Sequence, residues 1–490
     1  MRALSKIPFR SLLVAASAAS ALAACAVGPN YVRPSVAAAP AFKEPAHAPG
    51  WTPAQPADTA LKSDWWALFG DPTLNELEAK VAVSNQNVVA AEAAYRQAEA
   101  LVREQKAAFF PSLTLNGSGA RSGSGGGSGS GQIITGPGGA VSTAGGKASN
   151  TYRTSLGASW EPDVWGRIRR EVESAGANAQ ASAADLAAAR LSAQGALATD
   201  YFDLRELDAE TALLTATVEG YQRSLKIAQN RFNAGVAPRS DVLQAESQLA
   251  STQADLADLG RQRAAFEHAI AVLTGQAPET FALAAQPNWN PTIPEVPVSV
   301  PSVLLQRRPD VAAAERKAAA ASAQIGVAVS AYFPSLSLTG SYGYSAGELS
   351  GLISASNSLW SYGLSAAETL FDGGLRKGQV AAARASYDQA VAQYRQAALT
   401  AFQNVEDQLA ATRALAAEYE LRRQAAAASE AAAQMVVNQY SAGQVAYTNV
   451  VTAQATALSA RRSLAQSAAS RQTTAVALIQ GLGGGWTAPS

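Results

Sequence analysis

Four stretches of this chain alternate with a period of two, apolar residues against small polar ones. In the first, Leu113 and Leu115 alternate with Ser112, Thr114 and Asn116; in the second, Tyr152, Leu156, Ala158 and Trp160 alternate with Arg153, Ser155 and Ser159. The third sets Leu336, Leu338, Tyr342 and Tyr344 against Ser335, Ser337, Thr339 and Ser341, and the fourth sets Trp360, Tyr362 and Leu364 against Ser361 and Ser365. Successive side chains of a strand point to opposite faces, so strands are expected at about 112–119, 151–160, 335–344 and 359–367. The pattern fits two half-buried hairpins of a soluble sheet. It fits equally the strands of a membrane barrel, whose lipid face alternates with a wet lumen and is bordered by aromatic girdles.

The remaining periodic segments read as helix. From Asp71 to Phe109, residues Leu74, Leu77, Val81, Val88 and Ala91 keep three-and-four spacing, and Pro111 ends the run because the residue before a proline is pushed out of the α region. Val164 to Asn233 and Asp372 to Tyr440 are each about 70 residues, or roughly 100 Å, about three times the hydrocarbon thickness of a bilayer. Each stops at a glycine placed as a C′ residue, Gly235 and Gly443, and restarts behind a candidate cap, Ser240 or Thr448. Returning helices are expected from Asp241 to Thr274 and from Asn449 to Gln480, making two αα-hairpins with tips at about 235–241 and 443–449.

The two halves are copies. Phe110-Pro111-Ser112-Leu113 returns as Phe333-Pro334-Ser335-Leu336, and Val88-Val89-Ala90-Ala91-Glu92 as Val311-Ala312-Ala313-Ala314-Glu315, both at a spacing of about 223. Trp165-Gly166-Arg167-Ile168-Arg169 answers Asp372-Gly373-Gly374-Leu375-Arg376, and Phe232-Asn233-Ala234-Gly235 answers Tyr440-Ser441-Ala442-Gly443, at about 207–208. The spacing drops because the first copy carries a longer Gly/Ser insert, Gly117 to Lys147, of the kind found in exposed loops. The expected order is a lipoprotein signal peptide (1–24), an arm (25–70), a first repeat (71–275), a Pro-rich linker (276–309), a second repeat (310–480) and a tail (481–490).

A formal net charge of +0 offers nothing to nucleic acid. His47 and His268 are the only histidines, which leaves no His-based metal site or triad in one chain. No HExxH, P-loop or dinucleotide fingerprint occurs, and the scattered carboxylates read as solvated helix surface, so no catalytic residue, metal or cofactor is expected. At the start, Arg2, Lys6 and Arg10 precede an apolar stretch, Leu12 to Ala24, too short to span a membrane. Leu22-Ala23-Ala24-Cys25 resembles the bacterial lipobox, which makes Cys25, the one cysteine, the expected site of a covalent lipid. Ala26, not Asp, follows it, which in such lipoproteins favours the outer membrane. No later segment offers about 18 uncharged apolar residues, so a bilayer could be crossed only by strands. Four strands cannot close a barrel, and open edges cannot face lipid; a spanning chain must therefore assemble with copies of itself.

Taken together, these features resemble the TolC-like outer-membrane efflux proteins, specifically the lipoprotein channels of RND-type tripartite pumps. The residues that carry the resemblance are Cys25-Ala26-Val27-Gly28-Pro29-Asn30-Tyr31, Trp65-Trp66 with Asp71-Pro72, Phe110-Pro111-Ser112-Leu113, Trp160-Glu161-Pro162-Asp163-Val164-Trp165-Gly166-Arg167, Arg307-Arg308-Pro309-Asp310 with Ala314-Glu315-Arg316, and Phe371-Asp372-Gly373-Gly374. The resemblance implies a mainly α fold with a membrane β-barrel sector: a homotrimer sharing a twelve-stranded barrel that continues into a periplasmic α-helical barrel. It implies a passive conduit for drugs or other small solutes, bound in outer-membrane lipid, with a periplasmic adaptor and an inner-membrane RND transporter as partners. It also places a gate and adaptor-docking region at the hairpin tips, here Gly235, Arg239, Asp241, Gly443, Tyr447 and Asn449. Asn449 and Thr452 stand where some members carry aspartates, which puts an acidic ring at the entrance in doubt. Two other readings stay open: a type I secretion channel and a lipid-anchored periplasmic coiled-coil adaptor.

Overall fold

The computed structural model describes residues 26–37, 39, 41–44, 64–123, 148–294 and 307–485. Cys25, the signal segment, most of the Gly/Ser insert and part of the linker lie outside the described residues. In chain order the elements are a 3-10 turn at Trp65–Phe69, α1 (Pro72–Ser84), α2 (Gln86–Ala107), β1 (Ser112–Ser122), β2 (Ser149–Trp160), α3 (Arg167–Asn233), α4 (Arg239–Leu273), a 3-10 turn at Pro278–Thr280, α5 (Pro309–Ser330), β3 (Ser335–Ala346), two further 3-10 turns, β4 (Ser358–Ala367), α6 (Leu375–Ser441) and α7 (Tyr447–Gly481). The internal duplication is carried through in lengths: α3 and α6 have 67 residues each, α4 and α7 have 35 each. Among the described residues no helix is long and apolar enough to cross a membrane. The chain divides into two compact units.

The first unit holds the strands. They form one antiparallel sheet in the order β1-β2-β3-β4, so the two expected hairpins are joined by pairing of β2 with β3. The register decides what the alternation means. Leu115 lies opposite Leu156, Leu156 opposite Tyr342, and Tyr342 opposite Trp360, one apolar row across all four strands. Two rows further along the same face Trp160 faces Leu338, which faces Leu364. A slip of one residue would break these rows, because it turns every side chain to the other face. Ser341 and Ser361 share a hydrogen bond of 2.8 Å on the opposite, polar side. Where strands meet helices, Trp165 stacks on Phe333 with ring centroids 4.9 Å apart and donates from Nε1 to the Pro334 carbonyl at 2.7 Å. Each long helix leaves the sheet behind an aspartate. Asp163 accepts from the Ile168 and Arg169 amides at 3.0 and 2.9 Å. Asp372 accepts from Gly374 N and Arg376 Nε at 2.9 and 2.6 Å, and those bonds, Arg376 first, pull its pKa down to about 2. The arm is tied to the same region by Arg170, which donates to the carbonyls of Val27 and Gly28 and at 2.9 Å to Asn30 Oδ1.

The second unit contains the main apolar core, where Trp65, Trp66 and Phe69 join Leu74, Leu77, Val81, Leu197, Tyr201, Phe202 and Ile479. Asp71 caps α1 by accepting from the Thr73 and Leu74 amides and also takes the Tyr201 hydroxyl at 2.6 Å. The expected single helix from Asp71 to Phe109 is broken at Asn85. Its ψ of 122° ends α1, while its side-chain oxygen accepts from the Asn87 and Val88 amides and starts α2. An Asx cap can thus split a helical pattern that runs through it unbroken. The reading of carboxylates as solvated surface fails at four positions among the described residues, one of them Glu315, buried beside Arg316. Asp208 is buried between Arg205 and Arg263, at 2.8 and 2.7 Å. Glu210 is buried against Arg462. Glu78 has no exposed surface and no hydrogen-bond partner, and burial pushes its carboxyl up to about 9.

Candidate functional site

Both tips, which lie in the second unit, are built on the same backbone. Gly235 has φ +72° and donates to Phe232 O at 2.9 Å, while Val236 N reaches back to Arg231 O at 3.0 Å. At the second tip Gly443 has φ +78°, Gly443 N donates to Tyr440 O at 2.9 Å, and Gln444 N to Gln439 O at 2.9 Å. These are Schellman turns, and the left-handed residue is glycine because a Cβ there would strain the backbone. The helices restart earlier than expected. Pro238 and Ala446 are the extended residues before α4 and α7, and their carbonyls accept from the Asp241 and Asn449 amides at 3.2 and 3.1 Å. Ser240 and Thr448 therefore lie inside the first turn and are not the caps. A tight backbone turn already supplies the first bond, so no side-chain oxygen is needed.

The side chains of the two tips meet in one cluster. Tyr447, only 2% exposed, packs edge-on against Tyr440, with ring centroids 5.1 Å apart and planes at 62°. Tyr440 donates from its hydroxyl to Asp241 Oδ2 at 3.2 Å. Arg231 lies over the Tyr440 ring, 4.7 Å from its centroid, and donates to the Tyr440 carbonyl at 2.7 Å. Ala228, Ala245 and Val450 complete the buried set. Burial, then the neighbouring Tyr440, Tyr221 and Asp241, pushes the Tyr447 hydroxyl up to about 12; burial and Asp241 raise Tyr440 as well.

Of the six tip residues singled out from the sequence, Asp241 and Tyr447 thus join this cluster, and Gly235 and Gly443 form its turns. Arg239 and Asn449 are exposed and make no side-chain hydrogen bond or ion pair among the described residues. Sequence reasoning missed Tyr440 and Arg231. The signal was present: Tyr440 aligns with Phe232 in the repeat, and that alignment marks a position where one copy carries a hydroxyl and the other does not.

Comparison with known proteins sets this geometry in context. The model of the outer membrane efflux protein family matches residues 79–276 and 300–484. The chain belongs to this family. It is 28% identical over 480 residues to a protein of Pseudomonas putida described as probable efflux pump outer membrane protein TtgC, covering 97% of this chain and 96% of that one. It is 30% identical over 474 residues to nodulation protein T of Rhizobium leguminosarum bv. viciae, covering 96% and 92%. The solved structure of the outer-membrane channel OprN superimposes with a TM-score of 0.85 at 31% identity, over 94% of this chain and all of that chain (100%). This outer membrane efflux protein is therefore a channel component of efflux, not an enzyme, and its mainly helical fold with four antiparallel strands and long helical hairpins is the one expected from its sequence.

Proposed function

We propose that three copies of this chain form a passive conduit through the outer membrane, each supplying four strands to a shared barrel of about twelve strands. The observation that carries the reading is the sheet. One face is apolar from edge to edge and lies open, with Leu115 78%, Trp360 68% and Tyr362 82% exposed. A soluble protein would cover such a face, whereas lipid requires it. The helices would extend into the periplasm. A lipid on Cys25 would anchor the N-terminus, which the structure ties through Arg170 to the region where strands end. An inner-membrane transporter of the RND type would supply energy and a periplasmic adaptor would dock at the tips. Relatives are named for toluene, antibiotic and cation efflux, which supports small solutes as the cargo.

The tips are proposed as the gate. The bond from Tyr440 to Asp241 and the burial of Tyr447 tie the two hairpins of one copy together, and exposed Arg239 is left to contact a neighbouring copy or the adaptor. With Asn449 and Thr452 in place of acids, multivalent cations should block the periplasmic mouth weakly in bilayer recordings; tight block would contradict that. The decisive test of the conduit is mass measurement of the protein extracted from outer membranes in detergent. Three copies are expected, and a monomer would sink the barrel. For the gate, Arg239→Ala and Tyr447→Ala, alone and combined, should raise single-channel conductance; unchanged conductance removes the gate role and leaves the conduit standing.

A further inference from the structure

The four strands contain two charged residues, Arg121 and Arg153. Register puts them on opposite faces. Arg121 lies opposite Asn150, at the strand end of the face on which Leu115 lies opposite Leu156. There an arginine stem can run along apolar surface while its head reaches the headgroup region. Arg153 lies on the polar face, in the row Ser118, Arg153, Ser345, and the next row of that face is Asn116, Ser155, Gly343. It is the single charge among the strand residues of that face, and no carboxylate accompanies it. Arg153 is exposed and forms no ion pair among the described residues. It stands four residues past the start of β2 (153 minus 149), at the end of the sheet away from the helices.

The surrounding sequence has the same sign. Segments 112–160 and 335–367 hold Arg121, Lys147 and Arg153 against Glu348 alone, three basic minus one acidic, or +2 per copy in a chain whose total is +0. Glu348 stands three residues past Ser345, is exposed, and forms no ion pair with Arg153. An arginine keeps its charge at any pH the cell offers, so this cation is permanent. Its reach depends on the width of the pore. About twelve strands, about 4.8 Å apart and tilted by about 40°, close on a circle of radius roughly 12 Å. Guanidinium groups that project inward from such a wall lie closer to the axis than that. The screening length is about 8 Å at physiological salt and about 30 Å at 0.01 M, so a solute on the axis still feels them.

Resting on the three-copy reading above, in which the apolar face meets lipid and the polar face the lumen, we propose that Arg153 sets the charge preference of the conduit. Three copies place a ring of three guanidinium groups near its outer mouth. Rings of basic side chains select anions, so solutes that carry carboxylate, sulfonate or phosphate groups leave more readily than cations of the same size. The surrounding hydroxyl and amide groups of Ser118, Ser345, Asn116 and Ser155 offer the ring no counter-charge.

Two measurements on the full-length chain test this. In a planar bilayer under an about tenfold KCl gradient, Arg153→Gln should move the reversal potential towards the potassium potential, and Arg153→Glu should move it further the same way. Arg153→Lys should stay at the parent value. The hairpin tips are common to all four proteins, so the differences report the barrel. The shifts should be larger with about 10 mM than with about 100 mM salt on the dilute side. Equal reversal potentials in the parent, Gln and Glu proteins overturn the proposal. The second measurement is local. Ser345→Cys, opposite Arg153 in register, is labelled in outer membranes with an anionic and a cationic methanethiosulfonate reagent, and the parent chain with Cys25 alone gives the background. Cross-strand neighbours lie about 5 Å apart, so the anionic-to-cationic rate ratio should be about threefold higher with Arg153 in place than in Arg153→Gln. It should also exceed by about threefold the ratio at Ser337→Cys, on the same face but roughly 26 Å nearer the helices, a reference that leaves Arg153 untouched. Equal ratios in a protein that is a trimer by mass overturn the role of Arg153 and leave the conduit standing. A monomer by mass overturns both.

Discussion

The two hairpin tips share a backbone and divide the labour of their side chains. At equivalent positions, 208 residues apart by subtraction (443 minus 235), the first tip carries Phe232, Arg239 and Asp241 and the second Tyr440, Tyr447 and Asn449. The second-copy aromatics are buried, Tyr440 at 3% and Tyr447 at 2% exposure, while Phe232 is 41% exposed. Only in the first copy does the third position reach across, Asp241 accepting from Tyr440. Duplication preserved the turn because backbone geometry demands it, and left the side chains free to become unlike halves of one contact.

That asymmetry can be broken in order of size. Tyr447→Ala removes a buried ring and should loosen the tip cluster by about 3 kcal/mol. Hydrogen exchange over residues 225–245 and 436–451 would report it, and protection equal to the parent would contradict the asymmetry. Alkali should act next. An unfolded phenol ionises near pH 10, roughly, whereas Tyr447 holds its proton to about 12. Cluster stability should be level below about pH 10 and fall as pH rises from there towards 12, because only the unfolded state gains by releasing the proton. Tyr447→Phe should blunt that fall. A profile unchanged by the substitution would mean the hydroxyl is not buried in solution.

Glycine substitution sharpens the part the tips share. Gly235→Ala and Gly443→Ala should each cost about 1 kcal/mol, since both force a Cβ into the left-handed region. Clearly unequal losses in thermal unfolding would show that the turns are not equivalent. Asp241→Asn keeps an acceptor for Tyr440 but loses its charge and should cost about 0.5–1 kcal/mol, against no more than about 0.5 kcal/mol for exposed Arg239→Ala. If the Arg239 variant proved the more damaging to the isolated chain, the assignment of inward and outward residues would be reversed.

Much of this is legible in the sequence. Strand alternation survives in sequence because period two maps directly onto two faces, and helix length survives because glycine and proline punctuate it. Asn85 was not legible as a break: its effect depends on an extended ψ and on its amide reaching the Leu273 carbonyl at 2.8 Å, a contact 188 residues away. Glu78 gave no sign of burial either, since a carboxylate reads as surface until its neighbours are known.

By itself the sequence determined the duplicated unit, the four alternating strands, the extent of the two longest helices and the glycine turns, patterns that are set by residues close together in the chain. Tertiary structure alone decided that Leu115, Leu156, Tyr342 and Trp360 form one row, that the first helical run splits at Asn85, and that Tyr440 meets Asp241. Those outcomes depend on register and on contacts between residues up to 199 positions apart, which no local pattern encodes.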